Sequence, residues 1–314
     1  MFFLLSGALR FHAKPVTECA LRTQPRLASK AKLLAQELRR LEHKDIKKQL
    51  HVNDALAKQY AKHLSDFERV QPVSCCSLYD TKLFNTLDAA SFDEDDADWA
   101  NSHIRILSGL YGLLRPFDEI QTLSLPVGLG TKLTTTKGKF LRDYWREHIQ
   151  KELSEGLQKL YAPVMVNCAA PEDTAEIIDL EVFPAGTQIM TVNFKTIDKG
   201  DIGPAQGQFL QWALQNRCMT IEDLMEFRGD TSEEGTGSAY RVLPKESGPD
   251  TITFEEDIGE GSHGGWSKKL AEYSGSKKKF IKEQASGKER YKRTEINKAL
   301  KNDSKKKRAA HVVY

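Results

Sequence analysis

The chain has 314 residues, of which 39% are hydrophobic and 29% charged, so it is long enough for one large domain with a sizeable core. No apolar run approaches the roughly 18 residues of a membrane span, and the five-residue run near the start is too short for a signal-peptide core. The net charge of +2 conceals an asymmetry, because residues 266–314 hold 16 Lys or Arg against 5 Asp or Glu, a net +11, which leaves −9 on residues 1–265.

The opening MFFLLS predicts a buried first strand. A mitochondrial presequence is the alternative, because basic residues outnumber acids at the start of the chain. Apolar residues at helical spacing predict an amphipathic helix over residues 27–50, and a continuation over 51–66 that Asn53 caps. Residues 74–89 predict a buried strand and a short helix. The adjacent Cys75 and Cys76 are typical of small core residues, and an odd total of five cysteines favours reduced thiols.

SFDEDDADWANSHIRIL begins with the signature of a helix start. Ser91 is the predicted cap, Glu94 follows three residues later, and acids crowd the first turn. The sequence therefore predicts a helix from about residue 92 that runs into HIRIL. Ser108–Gly112 would end that helix, and a second short helical run would follow up to Pro116. Acids at this position favour a helix start over a metal cluster.

The rest of the chain alternates strand and helix patterns. A clear helix is predicted over 140–160, buried strands over 162–170 and 187–195, and an edge strand with a turn over 176–186. Helices over 203–217 and 220–227, the second capped by Thr220, precede a final hairpin over 240–257. We therefore predict a mixed α/β (α+β) domain over residues 1–258, with a central mixed sheet flanked by helices. Residues 259–314 predict a Gly-rich joint and a disordered or partly helical basic tail.

Two glycines three residues apart, Gly109 and Gly112, cost roughly 1 kcal/mol each inside a helix relative to Ala. They would leave main-chain N–H groups uncovered at the next turn, which is the geometry of an anion site. Tyr111 and Arg115 lie four residues apart and would share a face suited to a phosphate or a base. The alternative is a corner at which glycine lets two elements pack closely.

LSGLYGLLRP, preceded by FDEDDADWANSHIRI and followed by GTKL and GKFLRDYW, closely resembles the YaaA family of peroxide-stress resistance proteins. MFFLLS, VNCAAPED, GPAQGQFLQWALQNR and the final hairpin extend the resemblance through most of residues 1–257. It implies a single α/β domain with a positively charged cleft and a helix-hairpin-helix element, and DNA binding linked to survival of oxidative stress. The matching positions are Ser108, Gly109, Tyr111, Gly112, Arg115, Pro116, Gly130, Lys132, Leu133, Gly138, Lys139, Tyr144, Trp145, Asn167 and Glu172.

This chain also departs from the family pattern. The lysine of the family's opening SPAKT is Leu9 here, beside Arg10. The family's K-x-R-G segment, with an Arg downstream, appears as residues 204–207 and Gln211. Ser124 and Pro126 replace an Arg and a Glu. Because phosphate contacts carry most non-specific affinity, a cleft without these basic groups should bind nucleic acid poorly. Either the cleft has lost its function or the tail supplies the cationic contribution.

The tail holds three basic clusters with Phe280 and Tyr291 between them, which suits electrostatic binding and base stacking. The alternatives are a solvated tail without a partner and, more weakly, an anionic membrane surface. The last cluster, KKKR, also resembles a nuclear-import signal. The basic residues of the clusters are Lys277, Lys278, Lys279, Arg290, Lys292, Arg293, Lys305, Lys306, Lys307 and Arg308.

No nucleophile elbow, P-loop or zinc pattern occurs, so the sequence favours a binding protein over an enzyme and indicates no metal or cofactor. Asn167 and Glu172 after a buried strand form the best catalytic-looking pair, and Arg10 and His12 could line the same cleft. The alternatives are a small-ligand or nucleotide-processing enzyme at this cleft and a scaffold that has lost the family site. We predict a monomeric, cytoplasmic YaaA-like protein that binds nucleic acid, DNA rather than RNA, without sequence preference; nuclear or mitochondrial placement are the alternatives.

Overall fold

The structure, a computed structural model, describes residues 1–8, 10–12, 21–66, 71–121, 129, 132–175, 177–196, 201–229 and 238–257. These residues belong to one compact unit, Met1–Asp257. All the basic clusters of the tail lie outside the described residues, as do Leu9, Ser124, Pro126 and Gly130.

The strands of the described residues form a central seven-stranded sheet in the order β4-β3-β1-β6-β7-β9-β8 and a two-stranded sheet, β2-β5. β3, β1, β6, β7 and β9 run parallel, while β4 and β8 close the two edges antiparallel. The strands are β1 (Phe2–Ser6), β2 (Val73–Ser74), β3 (Ile104–Ser108), β4 (Gly112–Leu114), β5 (Glu119–Ile120), β6 (Val164–Asn167), β7 (Gln188–Lys195), β8 (Ala239–Val242) and β9 (Thr251–Asp257).

The helices occupy both faces of the sheet. In the described residues they are α1 (Ala28–Leu38), α2 (His43–Leu50), α3 (Asp54–Asp66), α4 (Cys75–Leu78), α5 (Lys82–Leu87), α6 (Glu94–His103), α7 (Leu141–Leu157), α8 (Pro171–Thr174), α9 (Gly203–Gln215) and α10 (Ile221–Leu224). The predicted mixed α/β architecture is therefore confirmed.

β1 lies at the centre of the core because four of its five residues are buried. Successive side chains of a strand point to opposite faces, and Phe2 and Phe3 show the two layers directly. A Cβ on Gly156 of α7 would stand 2.6 Å from the Phe2 ring, so α7 covers that face. Phe3 contacts Trp99 of α6 and Phe209 of α9, at 5.9 and 6.2 Å between ring centroids, on the other face.

Several local predictions are confirmed. Asn53 Oδ1 accepts a hydrogen bond from Leu56 N at 2.9 Å at the start of α3. Thr220 and Asp223 form a capping box at α10, and β8 and β9 form the final hairpin. Cys75 and Cys76 are buried in the core.

The predicted helix over residues 92–107 is wrong after His103. α6 begins at Glu94 with Asp93, not Ser91, as the cap, because Asp93 Oδ1 accepts from Asp96 N at 2.8 Å. The helix ends at His103, and Ile104 adopts extended backbone and begins β3. No second helical run follows, because Gly112 begins β4. Residues 104–114 are thus a β-hairpin, not the helix-hairpin-helix implied by the resemblance.

The edge strand predicted over 176–186 is also wrong. The described residues between α8 and β7 form turns and bends, and no strand lies among them. None of the described helices is both long enough and apolar enough to cross a membrane.

Candidate functional site

The carboxyl edge of the parallel strands is a candidate ligand site. The chain leaves β1 towards β3 and leaves β6 towards β7, in opposite directions along the sheet. Ligand crevices in open α/β sheets lie at such a reversal, outside the strand ends. Ser6 ends β1 and Asn167 ends β6, so their side chains stand at this point.

The polar side chains that end β1 and β6 accept hydrogen bonds from the main chain of the loop after β6. Ser6 Oγ accepts from Ala170 N at 2.9 Å, and Asn167 Oδ1 accepts from Ala169 N at 3.1 Å. Both side chains therefore fix the loop that follows β6. Glu172 is exposed in the first turn of α8, a helix of only four residues. This geometry favours the loop-structuring interpretation of Asn167 over a catalytic pair.

Arg10 and His12 lie beside the segment that precedes α5. His12 N donates to Leu78 O at 2.8 Å, and the ring Nε2 lies 3.2 Å from Asn85 Oδ1. The Arg10 side chain is exposed. Within the described part of the chain, no hydrogen bond or ion pair joins Arg10 or His12 to Asn167 or Glu172.

Gln206 occupies the position at which the family pattern has an arginine. It is buried, and its Nε2 donates to Cys168 O at 2.8 Å, which ties α9 to the loop after β6. The following Gly207 packs against Leu83 and Thr86 of α5. The residue at this position is therefore a neutral amide that serves the packing of α9.

The Ser108–Gly112 turn is a buried corner. Gly109, Tyr111 and Gly112 are buried, and Tyr111 N donates to Ser108 Oγ at 3.2 Å. Trp145 Nε1 donates to Gly109 O at 2.8 Å from the facing helix α7. Gly109, Tyr111 and Gly112 thus offer little surface to a nucleic acid, and the packing interpretation of the two glycines accounts for their contacts.

Arg115 is held by hydrogen bonds and an ion pair with Asp118. Its Nη2 donates to Asp118 Oδ1 at 2.8 Å and to Gln24 O at 2.9 Å, and its main-chain N donates to Asp118 Oδ2 at 2.8 Å. The Asp118 side chain is 1% exposed and that of Arg115 is 19% exposed. Thr23 Oγ1 also donates to Asp118, at 2.7 Å. Arg115 therefore neutralises a buried carboxylate and orders the chain before α1.

A second hairpin, residues 134–140, carries exposed cations. Thr135 N donates to Lys139 O at 2.9 Å, and Gly138 N donates to Thr135 O at 2.9 Å. Gly138 has a φ of +74°. It is the left-handed residue that ends this kind of tight turn. Lys139 on this hairpin and Lys132 just before it are exposed, and both were predicted from the sequence.

Further cations join this hairpin from α1 and α7. The charges of Lys30 and Lys139 both act on the pKa of His148 in α7, so the three residues lie together. The guanidinium of Arg142 stands 5.7 Å from the centroid of the Phe140 ring, which is 41% exposed. We call this surface the Lys139 face; its cations are Lys30, Lys132, Lys137, Lys139 and Arg142.

The charges of the Lys139 face act on the pKa of His148. The pKa of His148 is lowered, first by burial and then by Lys30, with smaller contributions from Lys139 and Lys151. Glu147 acts in the opposite direction and raises the pKa of His148. Glu37 is a second nearby acid, and its pKa is lowered first by the hydrogen bond from Thr136 Oγ1, which is 2.6 Å long. Lys30 was missed in the sequence because no local motif joins α1 to the hairpin, and Lys137 and Arg142 were also not among the predicted residues.

Comparison with known proteins identifies the family of this chain. The model of the family described as peroxide stress protein YaaA matches residues 1–233. A UPF0246 protein of Maricaulis maris is 32% identical over 237 residues, which are 72% of this chain and 88% of that protein. One of Cereibacter sphaeroides (strain KD131) is 35% identical over 272 residues, 82% of this chain and 98% of that protein. One of Clostridium botulinum is 28% identical over 236 residues, 72% and 91% of the two chains. The chain belongs to the peroxide stress protein YaaA family.

Proposed function

We propose that this member of the YaaA family acts in the response to peroxide stress by binding nucleic acid without sequence preference. In this proposal the tail supplies most of the cationic contacts and the Lys139 face supplies the rest. DNA is the proposed partner.

The observation that carries the proposal is the charge asymmetry of the chain. Residues 266–314 have a net charge of +11, whereas residues 1–265 have −9. Each phosphate neutralised by Lys or Arg releases counterions, and this release is the main source of non-specific affinity. A basic segment with interleaved Phe280 and Tyr291 also allows stacking on bases of a single strand.

The carboxyl edge contributes little in this proposal. Gln206 is a neutral amide, and Ser6 and Asn167 bond to the loop after β6. The Lys139 face is better suited, because Lys132, Lys137 and Lys139 are exposed and the ring of Phe140 beside them is also exposed. A phosphate backbone can pair with such lysines as point charges.

The test is a salt titration of DNA binding, measured by fluorescence anisotropy on a duplex and a single strand. Four proteins are compared: the full chain, a form ending at residue 265, a tail variant and Lys139→Gln. The tail variant has glutamine at the ten basic residues of the three clusters. For duplex DNA, the slope of log K against log salt should fall by about 0.9 for each phosphate that the variant no longer neutralises.

The tail variant should lose most of the slope and affinity, and the form ending at residue 265 should match it. Lys139→Gln should lower the slope by about 0.9, the value for one phosphate, with no preference for sequence in any form. Lys195→Gln, which removes an exposed lysine that pairs with Glu246, is the matched control and should leave the slope unchanged. Equal slopes for the full chain and the tail variant would refute the proposal.

A further inference from the structure

We infer that a small anion site, separate from the Lys139 face, lies at the amino edge of the sheet and binds a phosphate monoester. A cavity of about 290 Å³ opens there between the start of β3, the end of β4, the second half of α7 and the turn before α1. Pockets for drug-sized ligands begin at roughly 300 Å³, so this cavity fits a smaller molecule. We call it the Arg105 cleft.

Arg105 of β3 is the central residue of the cleft. Its guanidinium carbon stands 4.4 Å from the centroid of the Phe2 ring, and its Nη1 donates to Asn101 O at 3.1 Å and to Ile104 O at 2.7 Å. Among the described residues, no carboxylate oxygen lies within 4.0 Å of this guanidinium, and no acceptor binds its Nε or Nη2. A mostly buried cation that no carboxylate contacts directly is costly unless something neutralises it.

Two more guanidiniums share the cleft with Arg105. Arg26 Nη1 lies 3.4 Å from Glu152 Oε2, a long ion pair on the exposed side, and Arg115 is held by Asp118. The pKa of Arg105 is lowered to about 10, first by burial and then by repulsion from Arg26 and Arg115, while Asp118 and Glu152 raise it. Arg105 therefore still carries its charge at neutral pH, and the two neighbours make the site more positive.

The charge of the cleft selects the class of ligand. Its ionisable side chains other than His103 are Arg26, Arg105, Arg115, Lys159, Asp118 and Glu152, four cations against two anions. A phosphate monoester carries about −1.5 to −2 at pH 7 and would balance this net +2, whereas a carboxylate would leave one charge over. The planar fork of a guanidinium also matches two phosphate oxygens at once.

The walls leave room for a small organic group beside the phosphate. Leu113, Leu114 and Leu160 line the cavity next to the cations. A phosphate monoester occurs on small metabolites and at the phosphorylated end of a nucleic acid. The shared chemistry is the terminal phosphate, and the experiment separates the two sources.

The test is a calorimetric titration of the full chain with inorganic phosphate, at ionic strength held constant with chloride. We expect saturable binding that Arg105→Gln weakens by about tenfold or more, because the variant removes a charge-assisted hydrogen bond. Arg26→Gln should weaken it by about threefold or more, because it removes a more distant charge. Arg241→Gln, which removes an exposed arginine paired with Glu255 at the opposite edge of the sheet, should bind as the wild type does.

Thermal unfolding of each variant separates loss of the site from loss of the fold. Arg26 is exposed, so Arg26→Gln should fold normally and tests the site even if Arg105→Gln melts early. No saturable binding by the wild type would overturn the inference, and so would unchanged affinity in Arg26→Gln and Arg105→Gln.

A dinucleotide with a 5′-phosphate and the same dinucleotide with a 5′-hydroxyl identify the source of the phosphate. If both compete with inorganic phosphate equally weakly, the ligand is a free small monoester. If only the 5′-phosphorylated form competes, and Arg105→Gln removes its advantage, the ligand is the end of a nucleic acid. Both results support the Arg105 cleft. Competition by the 5′-phosphorylated form that Arg105→Gln leaves intact would place the binding site elsewhere and contradict it.

Discussion

Two of the glycine turns of this protein have the same φ angle and opposite surroundings. Gly112 and Gly138 both have a φ of +74°. A Cβ on Gly112 would stand 2.5 Å from the Trp145 ring, whereas a Cβ on Gly138 would meet nothing within 4 Å. The first glycine allows close packing as well as the turn, and the second allows only the turn. A glycine in a sequence thus predicts where a chain turns but not what the turn does.

The two hairpins therefore serve different purposes. The β3–β4 hairpin places its backbone against Trp145 and its end, Arg115, against Asp118, so its contacts stabilise the core. The 134–140 hairpin places Lys137 and Lys139 in solvent. This comparison would be contradicted if the first hairpin bound nucleic acid, or if the second hairpin were needed for packing.

Gly112→Ala should have the largest effect on stability. The new Cβ would overlap a fully buried indole, and overpacking costs about 1–3 kcal/mol. The left-handed backbone adds about 1 kcal/mol more for a residue with a side chain. Urea unfolding should show a decrease of about 2–4 kcal/mol in the free energy of unfolding, with an unchanged m-value. A decrease below about 1 kcal/mol would mean that Trp145 moves aside easily.

Arg115→Ala should be the next most damaging substitution, by about 2–3 kcal/mol. It leaves Asp118 buried with only Thr23 and the main-chain N of residue 115 as partners. Arg115→Lys keeps the charge but not the two-point hydrogen bonding, so its stability should lie between those of the alanine variant and the wild type. Urea unfolding and DNA affinity should be measured on the same preparations. Normal stability of Arg115→Ala together with weakened DNA binding would support the anion site that the sequence predicted at Arg115.

Gly138→Ala should cost about 1 kcal/mol, the strain of the left-handed conformation alone. No atom opposes the added methyl group, so the difference from Gly112→Ala isolates the contribution of Trp145. The same urea unfolding measurement applies. Equal decreases in the two variants would show that packing against Trp145 adds nothing to the cost at Gly112.

The elements that the sequence predicted well are those with strong local signals. β1 is a short apolar run at the start, Thr220 has its capping partner three residues later, and α7 shows a clear apolar face. The acids of α6 also predicted a helix start correctly, although the cap is Asp93 and not Ser91.

The prediction is wrong where local signals conflict. The helix start at residues 93–96 favours a helix that continues through HIRIL, although Ile104 and Ile106 alternate with Arg105 as in a strand. The burial that decides the case comes from β1, a hundred residues earlier in the chain, which pairs with β3.

The candidate sites are less predictable than the fold because their residues come from distant segments. Lys30 and Lys139 meet only through the packing of α1 and α7, and Arg26 meets Arg105 only at the amino edge of the sheet. Even Arg115, which the motif singled out, acquires its role from Asp118 and Gln24, and its exposure could not be read from the sequence.

The smallest predicted effect concerns the pKa of His148, and it tests the Lys139 face directly. Burial and then Lys30 lower this pKa, with a smaller contribution from Lys139, while Glu147 raises it. Lys139→Gln should therefore raise the pKa of His148 in the free protein, measured by NMR titration of the ring. Lys195→Gln, which lies elsewhere on the surface, should leave it unchanged.

Bound nucleic acid should also raise the pKa of His148, because nearby phosphates favour the protonated ring. By linkage, the complex then binds more protons than the free protein, so DNA affinity should increase as the pH falls from above the raised pKa of the complex to the pKa of the free form, and level off below it. His148→Gln should remove this part of the pH dependence without changing affinity at pH 8, where the ring is neutral in the free protein. A pKa of His148 that is the same with and without DNA would place the bound strand away from the Lys139 face and leave the tail as its binding segment.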